Sequence, residues 1–315
     1  ALTAAMAAPV VAQDMAAPEP FADDAKPYVA IVSKGFQHQF WQAVKAGAEA
    51  KGAELNMDVN FIGPETESQV AKQIEMLQAE YDKGPDAVCF AALDSQAALP
   101  LLQQMQDDGI PVIAFDSGVE GDIPITTAAT DNVAAAGLAA DKMVELIGGS
   151  GQVGAIVHDQ VSRTGIDRGT GFVDSIAKYE DIELIGPVYP QKSGDELQTI
   201  EDVKTMIQAN PDIKGIFAAN EGTAQGLITA VTELDMAGDF VLIGYDSGLK
   251  QINAIKDGTM AGAVQQNPVG IGAKCVEAAA MALQGMDVPP GIDTGYIWAD
   301  ASNIDSEEVQ AVLYE

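Results

Sequence analysis

The chain is poor in basic residues, histidine and cysteine, and each shortage removes a class of function. Only 16 Lys and Arg stand against 47 Asp and Glu among 315 residues, a formal charge of −31. Such a surface repels phosphate backbones, which argues against nucleic acid as a partner. The acids are spread along the chain, the pattern of a solvated acidic surface rather than a charged tail. The two histidines, His38 and His158, have no spacing that assembles a zinc site. Nothing else in the sequence calls for a metal or a cofactor. Two distant cysteines, Cys89 and Cys275, make no disulfide framework, and buried free thiols are the expected state. No apolar run approaches the ~20 residues that cross a bilayer as a helix.

What is present is length, apolar content and regular alternation. At 315 residues with 47% hydrophobic content, the chain can fill two cores. From Tyr28 onward, short apolar runs alternate with segments of helical period. Helices are predicted at 40–52, 67–81, 96–108 and 133–147, then at 169–179, 195–209, 223–234, 249–256 and 269–283. Between them lie strand-like runs, among them 57–62, 110–115, 153–157, 184–188, 216–219 and 241–244. Alternation of this kind means α/β architecture, with parallel sheets covered by helices on both faces.

The first 27 residues differ, being Ala-rich and then rich in Pro, Ala and acids. Val10-Val11-Ala12 suits a signal-peptidase site, but no basic stretch precedes it. A signal remnant and a disordered tether are both consistent with this segment. Residues 28–130 with 266–294 read as one lobe, and 131–265 with 295–315 as the other. The chain would then cross between lobes three times.

Six of the apolar runs end in residues suited to gripping a polyol. They lead into Lys34 and then Phe40-Trp41, into Asp94, Asp116, Asn220 and Asp246, and into Gln265-Gln266. In open parallel sheets, ligands bind beyond the carboxyl ends of the strands. Carboxylates and amides there match hydroxyls that both donate and accept, and aromatic rings cover C–H faces. No catalytic constellation stands out. Gly149-Ser150-Gly151-Gln152-Val153-Gly154 fits a dinucleotide-binding pattern, but it follows a helix and opens a strand, so it reads as a turn. Asp94 with Asp116 resembles the carboxylate pair of a glycosidase only in residue type.

Ser33-Lys34 with Phe40-Trp41, Asp94-Ser95, Pro111 to Asp116, Thr130-Asp131-Asn132, Arg168-Gly169-Thr170-Gly171-Phe172, Phe217 to Glu221, Gly244-Tyr245-Asp246 and Gln266-Asn267-Pro268 form an ordered set. With this set, Tyr28 to about Trp298 resembles the ribose-binding-like sugar-binding proteins of ABC transporters. The resemblance implies two Rossmann-like lobes, each a parallel sheet flanked by helices, joined by a three-segment hinge. It implies that Asp116, Arg168, Asn220, Asp246 and Gln266 are polar ligand contacts and Phe40 an aromatic one. Trp41 either joins Phe40 or packs beneath it, and Lys34, Gln37 and His38 are further candidates. Helix capping stays open as the alternative role of Asp116 and Asp246.

Ser117 stands where ribose binders carry a second cleft arginine, which counts against ribose itself. The implied function is capture of a monosaccharide or related polyol for an ABC permease, by a monomer that is periplasmic, or lipid-anchored outside the cell. A sensor domain serving a chemoreceptor or kinase is an alternative, and a carbohydrate-modifying enzyme a more distant one. A sugar-responsive repressor would need a basic helix-turn-helix before the first strand, which residues 1–27 do not supply.

Overall fold

The computed structural model describes residues 17–315. The first apolar runs form β1 (Tyr28–Val32), β2 (Asp58–Ile62), β3 (Ala87–Phe90), β4 (Val112–Phe115) and β5 (Thr126–Ala129). The next are β6 (Gly151–Ile156), β7 (Ile182–Val188), β8 (Ile213–Ala218), β9 (Val241–Tyr245) and β10 (Gly262–Gln266). Two short strands, β11 (Gly291–Asp293) and β12 (Tyr296–Asp300), follow. The helices are α1 (Gln39–Glu54), α2 (Val70–Tyr81), α3 (Leu99–Asp107), α4 (Asn132–Leu146) and α5 (Arg163–Ile176). After these come α6 (Glu196–Ala209), α7 (Glu221–Glu233), α8 (Leu249–Asp257), α9 (Pro268–Leu283) and α10 (Glu307–Gln310).

The strands make two six-stranded sheets, ordered β11-β5-β4-β3-β1-β2 and β12-β10-β9-β8-β6-β7. Every pairing is parallel except β10 with β12. Both architectures are therefore doubly wound α/β units, as the alternation implies. The chain passes between the sheets after β5, after β10 and after β11. The first two crossings end in capped helices, Asp131 Oδ1 accepting from Ala134 N and Asn267 Oδ1 from Gly270 N. Gln266 belongs to β10 and so to the second sheet, one residue beyond the boundary expected from the sequence.

Each lobe brings two helices into close contact through glycine. A Cβ on Gly272 of α9 would sit 2.0 Å from the Val44 carbonyl of α1, and one on Gly171 of α5 would sit 2.2 Å from the Val133 carbonyl of α4. α5 begins at Arg163, six residues before its predicted start. Ser162 Oγ takes the Gly165 N–H at 3.1 Å and caps it there, and the glycines at 165 and 169 had blurred the helical period.

Two expectations are corrected. Residues 19–27 are not a tether: Phe21 N–H donates to Leu55 O at 2.9 Å, Asn56 Nδ2 to Phe21 O at 2.9 Å, and Asp58 N to Pro27 O at 2.8 Å. Phe21 packs on the first lobe's core, apolar burial that the local composition concealed. Residues 1–16 of that segment lie outside the described residues.

The cysteines are not free either. Cys89 in β3 and Cys275 in α9 are joined as a disulfide, with Cα atoms 6.3 Å apart. The bond ties the segment that returns from the second lobe to the strand it covers. In the chain-entropy account, closing so long a loop stabilises by roughly 2–5 kcal/mol. Reduction, or Cys89→Ala with Cys275→Ala, is expected to unfold the first lobe at lower urea, read from Trp41 fluorescence in a Trp298→Phe background. Coincident urea midpoints with and without the bond would mean that packing alone holds α9 in place.

Candidate functional site

The carboxyl ends of both sheets meet across a narrow cavity. It is lined by Lys34, His38, Phe40, Trp41, Glu67 and Asp116 from one side, and by His158, Thr164, Arg168, Asn220, Glu221, Asp246 and Gln266 from the other. About 20 Å3 of it admits the centre of a water molecule, room for one or so by the usual ~10–15 Å3 requirement. Nine of the twelve residues singled out from the sequence line it, and Gln37, Asp94 and Gln265 do not. β3 ends at Phe90, and three further residues carry the chain past the crevice. Asp94 Oδ1 instead accepts the N–H groups of Gln96 and Ala97 at 2.8 and 3.0 Å, an Asx turn leading into α3.

Asp116 and Asp246 follow β4 and β9 directly, and both have positive φ, 55° and 72°. Aspartate tolerates this left-handed conformation better than most residues, though at some cost. Neither caps the helix that follows it. Asp246 Oδ1 accepts from Gln266 Nε2 at 2.6 Å and Oδ2 from Glu221 N at 3.0 Å. Asp116 Oδ1 is buried without a hydrogen-bond partner. Burial pushes its pKa up to about 7, although Lys34 and Arg168 pull the other way.

Arg168 is buried in the middle of α5. Its Nε donates to Asn132 Oδ1 and one Nη to Ala219 O, both at 2.8 Å. The guanidinium lies 3.8 Å from the centre of the Tyr245 ring and 3.7 Å from Asp246 Oδ2. Tyr245 also donates to Asn132 Oδ1, at 3.0 Å. Asn220 caps α7, taking the Thr223 N–H at 2.9 Å, while lining the cavity. Gln266 Oε1 and His158 Nδ1 are buried and unpartnered, like Asp116 Oδ1. Burial pushes the His158 pKa down to about 3, so the ring is neutral.

The aromatic wall is the first turn of α1. Phe40 and Trp41 both line the cavity and meet edge to face with centroids 5.0 Å apart. His38, at the N-cap, makes no side-chain capping bond. Glu221 from the other lobe supplies the acceptors instead, Oε1 to Gln39 N and Oε2 to Phe40 N, each at 3.1 Å. Tyr314 Oη and Gln225 Nε2 donate to the same carboxylate. On the opposite side, Lys34 Nζ reaches across to Thr164 Oγ1 at 3.1 Å. Glu67, Thr164 and Glu221 escaped the sequence reading, and His158 entered it only as a non-ligand. Glu67 stands at the start of the helix predicted over 67–81 but lies in the turn before α2, Thr164 lies in a helical turn the sequence did not reveal, and Glu221 precedes the helix predicted from 223 although α7 begins with it.

Residues 29–287 match the family model described as a periplasmic binding protein domain. The D-allose-binding periplasmic protein of Escherichia coli is 25% identical over 252 residues, covering 78% of this chain and 80% of that protein. The ribose import binding protein of Salmonella typhimurium is 26% identical over 265 residues, covering 84% and 87%. Among solved structures, an ABC transporter solute-binding protein of Agrobacterium vitis with bound D-fucose superposes with a TM-score of 0.87 at 32% identity, covering 91% of this chain and 100% of the other. A second Agrobacterium vitis solute-binding protein, bound with α-D-tagatopyranose, gives 0.88 at 26% identity, covering 92% and 100%. The fold, the cleft between strand ends and the extent of the match agree: the chain belongs to the periplasmic binding protein domain family.

Proposed function

We propose that the protein captures a monosaccharide or related polyol between its lobes, outside the cytoplasm, and delivers it to an ABC importer. The observation that carries this reading is the unpartnered Oδ1 of Asp116 and Oε1 of Gln266 in a cavity walled by Phe40 and Trp41. Buried acceptors of this kind call for hydrogen-bond donors, and a ring of hydroxyls with apolar C–H faces supplies both requirements. Relatives and structural neighbours that bind D-allose, ribose, D-fucose and D-tagatose support the ligand class. The disulfide suits an oxidising compartment. The polar groups of the site are tied to one another in a manner suited to holding a ligand, so we read the protein as a binder rather than an enzyme. Lys34, Phe40, Trp41, Asp116, Arg168, Asn220, Asp246 and Gln266 are the proposed contacts. Because the cavity is narrow, a sugar enters by parting of the lobes about the three crossings.

Titration calorimetry against D-fucose, D-tagatose, D-allose and D-ribose tests the reading, and at least one sugar is expected to bind. Absence of heat with all four, and with the sugar released from the purified protein, would sink it. Asp116→Asn is expected to weaken the sugar that binds by roughly 1.5–3 kcal/mol, the worth of a charged hydrogen bond. The same change should leave the melting temperature of the unliganded protein unchanged or higher, since it removes a buried carboxylate with no partner at Oδ1.

Affinity should also depend on pH with a defined sign. Burial in the closed cleft pushes the Asp116 pKa up to about 7, and hydroxyl donors favour its ionised form and lower that value on binding. Binding therefore releases a proton near neutrality, and affinity rises with pH up to about 7 and then levels. A flat profile between pH 5.5 and 8 would remove Asp116 from the contacts. Small-angle scattering should show a smaller radius of gyration at saturating sugar, and superimposable curves would leave a rigid pocket in place of a closing cleft.

A further inference from the structure

We propose, resting on the sugar-binding reading above, that Glu67 is a positioning residue which sets two ligand-facing groups at once, the Lys34 ammonium and the Trp41 ring. Glu67 lies in the turn between β2 and α2 and is 6% exposed. Its Oε1 accepts from Trp41 Nε1 at 2.7 Å, and its Oε2 is 3.6 Å from Lys34 Nζ. Both carboxylate oxygens are thus engaged by protein groups that line the cavity. The turn itself is held in place, with Glu67 N–H donating to Gln37 Oε1 at 2.6 Å. It can lie against the end of β1 only because residue 63 is glycine: a Cβ there would sit 2.2 Å from Ser33 Oγ.

Lys34 needs such a partner. It is 2% exposed, and a lysine on a four-carbon stem withdraws to water or loses its proton when buried alone. Of its three N–H donors, Thr164 takes one across the cleft, while the nearby carboxylate keeps the group charged and the remaining donors beside the cavity. The charged and titratable groups facing it are Glu67 before α2, Asp116 after β4, His158 and Asp159 after β6, and Arg168 on α5. Burial alone would lower the Lys34 pKa. Glu67 first, then Asp159 and Asp116, outweigh burial and raise it, while Lys34, with lesser help from His38 and Trp41, brings Glu67 down to about 2 despite burial. The trio of cation, carboxylate and indole therefore behaves as one unit, with Glu67 as the member that touches both others.

The test separates charge from shape. Glu67→Gln keeps an acceptor for the indole and removes the charge, and Glu67→Leu removes both. With 13Cε-lysine labelling and Lys34→Met for assignment, the Lys34 resonance of the ligand-free protein is expected to titrate at lower pH in Glu67→Gln than in wild type. In a Trp298→Phe background, Trp41 emission should change in Glu67→Leu but not in Glu67→Gln. Calorimetry with D-fucose, D-tagatose and D-ribose at pH 7 and 9.5 should show about tenfold or greater weakening in Glu67→Gln, larger at the higher pH. An unchanged Lys34 titration overturns the proposal, as does wild-type affinity of Glu67→Gln at both pH values. If wild type binds none of the three sugars, the sugar reading is what fails, and the Lys34 titration with Trp41 emission still decides the positioning role.

Discussion

The closed cleft depends on a carboxylate from one lobe seated on the first turn of a helix from the other. α1 starts without a side-chain cap, so its leading N–H groups need acceptors. Glu221 provides them from α7, and the helix dipole favours its charge there. The same turn carries Phe40 and Trp41, so holding α1 and placing the aromatic wall are one event. Glu221 is almost fully buried, and burial raises its pKa. Its four hydrogen bonds offset the desolvation that closure imposes. Because burial raises the Glu221 pKa despite these bonds, the clasp gains little by itself, and in the proposed closing mechanism the ligand's binding energy decides between open and closed arrangements.

How much of this was legible follows from how local each feature is. Short apolar runs separated by helical period specify a parallel sheet with little help from distant residues, so both sheets could be read. The residues directly after β4 and β9 could be read as well, because a strand end fixes where the next side chain stands. Asp94 shows the limit of that rule, since three residues beyond β3 suffice to turn the chain out of the crevice. Glu67 and Glu221 were hidden for a different reason: each acts on an element far away in sequence. The Cys89–Cys275 bond is of the same kind, visible only when α9 is laid over β3. The docking of residues 19–27 rests on Phe21 and on Asn56, neither of which any motif would single out.

Charge inside the site follows a different logic from charge outside it. The surface carries an acidic excess that its few cations, most of them already in ion pairs, cannot neutralise, and water screens the remainder. The cavity also has more carboxylates than cations, but there each carboxylate has a specific arrangement. Glu67 faces an ammonium, Asp246 takes an amide and a backbone N–H near a guanidinium, and Glu221 takes four neutral donors. Asp116 differs, with an unpartnered Oδ1 and a pKa raised by burial. A buried acceptor of that sort favours a ligand rich in donors and disfavours one bearing a second negative charge beside it.

The two halves of the site are also unequally complete. In the second lobe, Arg168, Asn132, Tyr245, Asp246 and Gln266 are joined by hydrogen bonds and stacking that involve that lobe alone. Their geometry does not require the other lobe, and preorganisation of this kind lowers the cost of binding. In the first lobe, the α1 turn is capped by Glu221 and Lys34 donates to Thr164, so both are completed across the cleft. One lobe therefore presents a formed surface of donors and acceptors, while the other acquires part of its structure from contact with it. On the proposed function, selectivity among sugars that differ in one hydroxyl would rest on both: the preorganised half fixes register, and the half completed across the cleft admits only ligands that let the clasp at Glu221 form.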